Sequence, residues 1–184
     1  SFSIDDLKKL KNKKIISTIQ CGGNRRGELN LIDKTIGTHL NFCAISNAEW
    51  EGVTLRDLLI LNKVTDEQII KGDIKHIQFE AIDGLKTSIP AEKAMNIYGD
   101  VLIAYKMNGE DIPRDHGYPL RLIAPGHIGI RNIKWLKNIK VSTEESDGTW
   151  QRGISYKGLP HYIKDFKNLD LNKFASVQEM PVQS

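Results

Sequence analysis

Cys21 is the residue with the most reactive chemistry in this chain, and it opens the run Q-C-G-G-N-R-R over residues 20–26. A thiolate is the form of cysteine that binds soft metals, and guanidinium groups close by favour thiolate over thiol. Arg25 and Arg26 would also hold a small oxyanion beside such a metal. The same residue types would equally make a buried, inert cysteine followed by a basic loop. Cys21 and Cys43 are the two cysteines, too few for a disulfide framework and without a C-x-x-C zinc pair. His39, His76, His127 and His161 have no metal-type spacing. A metal held by Cys21 alone must therefore bring its other ligands with it, as a cofactor does.

The elements around this run must aim it. Ile16, Thr18 and Ile19 predict a buried strand over Ile15 to Gln20, broken by Gly22 and Gly23, where the backbone can turn tightly. Ahead of it, Ser3 caps a short helix with Leu7 and Leu10 inward, and the five lysines of Lys8 to Lys14 form a solvated helix face. Thr35 to Ala48 reads as loop and short strand, and Trp50-Glu51-Gly52 as a turn. Thr54 caps a helix with Leu55, Leu58 and Leu59 on one stripe, and Asp66 to Lys71 is a second short helix. Alternation through Ile77 and Phe79 predicts a strand over Lys75 to Ile82, closed by Asp83-Gly84 and a loop to Ser88. Pro90 opens a helix to about Tyr98, with Ala91, Ala94 and Met95 inside. Val101 to Met107 is a strand leading into the hairpin dipeptide Asn108-Gly109, and Trp135 to Val141 is another. After Ser142 the sequence is polar and loop-rich. Short helices and strands without regular βαβ alternation predict an α+β domain with mixed sheets.

Bulk properties narrow the function. With 184 residues, 40% of them hydrophobic, the chain can bury one core. A net charge of +3 and a pI of about 8.8 do not suggest a nucleic-acid partner, which usually meets a concentrated basic face. No apolar run approaches the roughly 20 residues of a membrane span, and no targeting leader is visible. The chain starts at Ser1 rather than methionine and is expected to begin within a longer protein.

Q-C-G-G-N-R-R resembles the cysteine motif of the sulfite oxidase family of molybdenum enzymes, usually Q-C-A-G-N-R-R. Arg114 to Leu136 (R-D-H-G-Y-P-L-R-L-I-A-P-G-H-I-G-I-R-N-I-K-W-L) is similar to that family's cofactor segment nearly position for position. Glu179 to Ser184 (E-M-P-V-Q-S) is similar to its junction with a C-terminal domain. Three matches in order, spanning nearly the whole chain, are far more specific than one. The resemblance implies a sulfite-oxidase-type molybdopterin-binding fold, here a partial domain. Residues 1–184 would be the molybdenum-cofactor domain without its N-terminal part, which in the family supplies another pocket arginine and a further cofactor segment. A C-terminal dimerisation domain would follow residue 184.

By the same resemblance, Cys21 is the sole protein ligand to molybdenum, with dithiolene sulfurs of a pyranopterin and two oxo groups completing the coordination. Arg26 is the pocket arginine for sulfite, while Arg25 supports the loop or core. Tyr156 is the pocket tyrosine, although Ser155 stands where the family has aspartate. His116, Arg121 and Lys134 would hold the pterin and its phosphate, Arg121 also lying in the catalytic set. Asp83 and the backbone at Asn132 and Ile133 join them. Arginine offers phosphate a fork and lysine a point charge, while Gly126 and Gly129 let backbone N–H groups approach. Without the resemblance, this stretch reads as a basic β-hairpin with a core histidine. Leu40 replaces a pocket tryptophan and Cys43 a glycine, the latter expected as a small buried hydrophobe.

The implied reaction is oxidation of sulfite to sulfate at a molybdenum–molybdopterin cofactor. Electrons would pass to a cytochrome or oxygen, and any haem would lie in an upstream domain. The implied enzyme is a homodimer in the mitochondrial intermembrane space, or in peroxisomes as in plant relatives. Assimilatory nitrate reductase shares the fold and the cysteine loop, but Arg114, the tyrosine of Y-K-G and the M-P-V-Q-S ending are closer to sulfite oxidase. A non-catalytic relative that kept the fold is the other reading, favoured by Leu40 and Cys43.

Overall fold

The computed structural model describes residues 1–184 except 161, 164, 166, 167 and 181–184. Its elements are short and follow the order α1 (Ile4–Lys8), β1 (Asn12–Gln20), α2 (Arg26–Leu29), β2 (Ile45–Thr54), α3 (Leu55–Leu61), α4 (Asp66–Ile70), β3 (His76–Ala81) and β4 (Lys86–Pro90). Then come α5 (Ala91–Met95), β5 (Leu102–Met107), β6 (Glu110–Asp111), β7 (Arg121–Ile123), β8 (Leu136–Ser142) and α6 (Thr149–Arg152). One antiparallel sheet has the order β1-β2-β5-β6, with β7 also paired to β5; a second has the order β4-β3-β8. The α+β expectation holds. Among the described residues no helix is long and apolar enough to cross a membrane.

The core follows from strand alternation. On β2, β5 and β7, Val53, Ile103, Tyr105 and Leu122 point to one face and meet Ile77, Phe79 and Ile89 of the second sheet together with α3 and α5. Trp50, Leu102, Ala104 and Ile123 point to the other face, where Ile15 and Ile19 of the neighbouring β1 pack against them. The first sheet is thus apolar on both faces at its centre.

Several expected elements stand as read. Ser3 and Thr65 form capping boxes, and Thr54 accepts the Asp57 N–H at the start of α3. Leu55, Leu58 and Leu59 are buried, as are Ala91, Ala94 and Met95.

Other expectations are corrected. The strand before Cys21 begins at Asn12 and forms the edge of its sheet, and alternation turns Ile16 to its uncovered face, where it is 73% exposed. The lysine run consequently spans α1, a turn and β1 rather than one helix face. Trp50-Glu51-Gly52 is no turn: it lies within β2 at a bulge against β5, and a Cβ on Gly52 would collide with the Ile103 carbonyl oxygen. The glycine there permits close strand approach. The segment after Gly84 is not loop to Ser88, because β4 pairs along β3 from Lys86 onward. Pro90 ends that strand and caps α5, which stops at Met95; Asn96 is extended and Tyr98 lies exposed. Cys43 is exposed rather than buried, and a short helix, α6, interrupts the loop-rich tail.

Candidate functional site

Cys21 sits where β1 runs out. Its N–H donates to the Ala44 carbonyl at 2.9 Å, continuing the β1–β2 ladder by one rung. The chain then turns, with Asn24 N–H donating to the Cys21 carbonyl at 3.0 Å and the Asn24 side-chain oxygen accepting the Ala44 N–H at 3.0 Å. The half-buried Cys21 sulfur accepts the Gly23 N–H at 3.4 Å.

The two arginines diverge. Arg25 adopts a left-handed backbone (φ 59°) and pairs with Glu28 at 2.6 Å, which fits its expected loop-supporting part. Arg26 folds back over the loop: its guanidinium donates to the Thr38 carbonyl at 2.7 Å, and Cβ atoms on Gly23 or Gly37 would each lie 2.7 Å from its Nη1. Two glycines thus make the room in which this cation lies, one of them two residues beyond the cysteine. Leu40 and Cys43 belong to the facing segment, whose carbonyls at Leu40 and Asn41 accept N–H groups of Gly27 and Arg25.

Tyr156 approaches from the far end of the sequence. A Cβ on Gly22 would lie 3.5 Å from its ring carbon Cε1, so its ring packs on the cysteine loop. Burial raises the pKa of its phenol, and negative charge on Cys21 raises it further, while Arg131 and Arg26 pull it down. The structure therefore brings Cys21, Arg26 and Tyr156 into one electrostatic neighbourhood.

The second dense stretch docks beside them. A Cβ on Gly129 would meet the Gln20 carbonyl oxygen at 3.0 Å and the Cys21 Cα at 3.5 Å, which sets the 121–134 segment against the end of β1. Arg121 is buried and spans this segment, donating to the carbonyls of His116 at 2.6 Å and Asn132 at 3.0 Å. Its guanidinium stacks 4.8 Å from the Trp50 ring, and its Nε has no partner. Burial lowers its pKa to about 10. Lys134 donates to the Asp115 carbonyl at 2.7 Å, and a Cβ on Gly117 would contact both Lys134 and Arg121. His116 is exposed at the rim, and the Ile133 carbonyl accepts the Leu122 N–H.

The Asn132 side chain accepts the Ala124 N–H at 2.7 Å and donates to the carbonyls of His127 and Ile128, holding the P-G-H-I turn closed. Asp83 is an exposed turn residue that accepts the Leu85 N–H, on the chain next to Ile82, whose N–H reaches the Trp135 carbonyl. Cys21, Arg26, Tyr156, Arg121, Asn132, Ile133, Lys134 and His116 thus lie along one continuous region, with Asp83 at its margin. A groove of about 460 Å³ lined by Lys86, Lys140, Glu144 and Arg152 lies on the second sheet and contains none of them.

Reading the sequence missed a buried polar network behind Tyr156. Arg131 is fully buried, and Lys157 pairs with Glu145 at 3.2 Å beneath the surface. Glu145 also accepts from Gln151 and Ser176, while Gln151 accepts from Thr87 and Ser88. Nothing in the pattern around these residues marks them as buried, since their partners lie far away in sequence. Among the described residues no group of His, Cys, Asp and Glu could hold a metal ion by itself. His161 and the P-V-Q-S of the chain end lie outside the described residues.

Comparison with known proteins gives a consistent picture. The family model of the oxidoreductase molybdopterin binding domain matches residues 1–150. Mitochondrial sulfite oxidase of Rattus norvegicus is 39% identical over 190 residues, covering 100% of this chain and 34% of that protein. NADH nitrate reductase 1 of Nicotiana tabacum is 41% identical over 178 residues, covering 92% of this chain and 19% of that protein. The crystal structure of the sulfane dehydrogenase SoxCD from Paracoccus pantotrophus superposes with a TM-score of 0.69 at 26% identity, covering 85% of this chain and 38% of that one. The chain spans about a third to a half of the length of the sulfite oxidases it matches.

Proposed function

The chain belongs to the oxidoreductase molybdopterin-binding domain family, and on that premise we propose that it is part of the cofactor domain of an enzyme oxidising sulfite to sulfate. The observation that carries this reading is the convergence of one half-buried thiol, one loop-held guanidinium and one desolvated phenol at the end of β1.

The residues fit a molybdenum–pterin group. Cys21 offers a single soft donor, so the remaining ligands come with the group. Arg121 is a desolvated cation with a buried, unpartnered Nε, which an anionic phosphate or an acceptor atom of a pterin would satisfy. Lys134 and His116 flank it at a more exposed position. When bound, the group supplies the two-electron redox centre and the oxygen that sulfite gains. The chain's own residues do the rest. Arg26 attracts the small anion and orients it toward the cysteine loop. The Tyr156 hydroxyl, kept protonated by burial, donates a hydrogen bond to anionic oxygen without carrying charge into the pocket. The Gly23 N–H donates to the Cys21 sulfur and steadies it at the turn.

The wider assignment follows the relatives. On this reading residues 1–184 are the molybdenum-cofactor domain without its N-terminal part, and a C-terminal dimerisation domain follows residue 184. Electrons leave to a cytochrome or oxygen, and the names of the rat and fly relatives support a mitochondrial location. The likeness to a nitrate reductase favours one competing reading, reduction of nitrate on the same scaffold. Steady-state turnover of the natural protein with sulfite and with nitrate separates the two. Sulfite oxidation without nitrate reduction is expected; nitrate reduction alone would replace the proposal.

A further inference from the structure

We propose that Arg131 is the positioning residue that fixes Tyr156 against the cysteine loop, an inference that rests on the reading of Tyr156 as a pocket residue. Arg131 is fully buried, and a buried cation is costly unless its geometry is well satisfied. Here its N–H groups are spread over three separate parts of the chain. Nε and Nη2 donate to the Val177 carbonyl at 3.2 and 2.8 Å, and Nη1 donates to the Thr87 hydroxyl at 2.9 Å and the Trp150 carbonyl at 3.0 Å.

Each direction but one leads back to Tyr156. Its ring centroid lies 5.7 Å from the Arg131 guanidinium carbon, within reach of a cation–π contact. Val177, gripped by its carbonyl, donates its own N–H to the Tyr156 carbonyl at 2.8 Å. Trp150, also gripped by its carbonyl, meets the Tyr156 ring edge-on, at 6.1 Å between centroids and 85° between planes. The remaining anchor, Thr87 on β4, ties the arrangement to the second sheet. The Tyr156 ring then rests on Gly22 beside the Ile128 side chain. Arg131 thus sets the ring from its face, its backbone and its aromatic neighbour at once. A lysine would keep the charge but could not bond Val177, Thr87 and Trp150 together.

The test uses the full natural protein carrying this chain, with 3-fluorotyrosine placed either at Tyr156 or, as a control in another part of the core, at Tyr105. In Arg131→Met the fluorine resonance at 156 should move toward that of free fluorotyrosine and sharpen, while the resonance at 105 stays put. An unchanged resonance at 156 overturns the proposal. If both resonances collapse, Arg131→Lys decides: a selective change at 156 supports the proposal, and joint movement or none overturns it. With sulfite, Arg131→Lys should lower kcat/KM about fivefold or more, yet less than about twofold when added to Tyr156→Phe. Equal losses in both backgrounds would contradict an action through Tyr156. The fluorine measurement needs no turnover, so a protein that fails to oxidise sulfite would sink the functional reading while the ring's response still decides this one.

Discussion

Lowering the pH from 7 to 5 should cost this fold about 2 kcal/mol through His127 alone. The imidazole is 6% exposed, its Nε2 is buried without a partner, and the charges of Lys93 and Arg131 face it. Burial first, and those two cations next, push its pKa from 6.5 down to about 4. The unfolded chain therefore takes up the proton near 6.5 and the folded chain only near 4, so between these values the unfolded state binds more protons. Stability is full above that window, falls as pH falls through it, and levels off below it. At pH 5 the ratio of the two binding terms is roughly thirtyfold, which is the 2 kcal/mol stated above. Leucine nearly matches histidine in volume and cannot be charged, so His127→Leu should remove this loss. Urea unfolding at pH 7 and pH 5, for wild type and variant, measures it. His76, whose pKa burial also lowers, titrates in both proteins and drops out of the comparison. If His127→Leu loses as much stability as wild type between the two pH values, the reasoning about this buried imidazole is wrong.

Two further outcomes follow from the site. Asn132→Ala would leave the buried Ala124 N–H and the His127 carbonyl without their partner, while the Ile128 carbonyl keeps the Arg131 N–H, a loss of about 2 kcal/mol in urea unfolding, whereas under about 0.5 kcal/mol would mean the turn is held otherwise. Arg26→Ala should raise the sulfite KM with little effect on molybdenum content, and Gly37→Ala should do so partly, because its Cβ would displace the same guanidinium; an unchanged KM in both removes Arg26 from the pocket.

What could be read from the sequence depended on how local the cause was. Caps such as Ser3, Thr54 and Thr65 act within one helical turn and were legible, as was the inward stripe of Leu55, Leu58 and Leu59. Ile16 was misjudged because β-branched residues favour any strand, and only the partner strands decide whether it is an edge. Trp50-Glu51-Gly52 was misjudged because a glycine that breaks a turn and one that admits a neighbouring strand look alike in sequence. The motif residues Cys21, Arg26 and Arg121 could be singled out in advance, but their meeting with Tyr156 depends on Gly22 and Gly129 packing across more than a hundred residues of chain. Arg131 went unnoticed since its neighbours Val177, Trp150 and Thr87 come together only in the fold.

We propose that the Cys21 sulfur is the chain's own bond to molybdenum. Molybdenum X-ray absorption of the natural protein, beside Cys21→Ser, tests it most directly. The account predicts metal in the wild-type protein with one more sulfur neighbour than in the variant. A wild-type protein without molybdenum, or a sulfur shell that Cys21→Ser leaves unchanged, would contradict it.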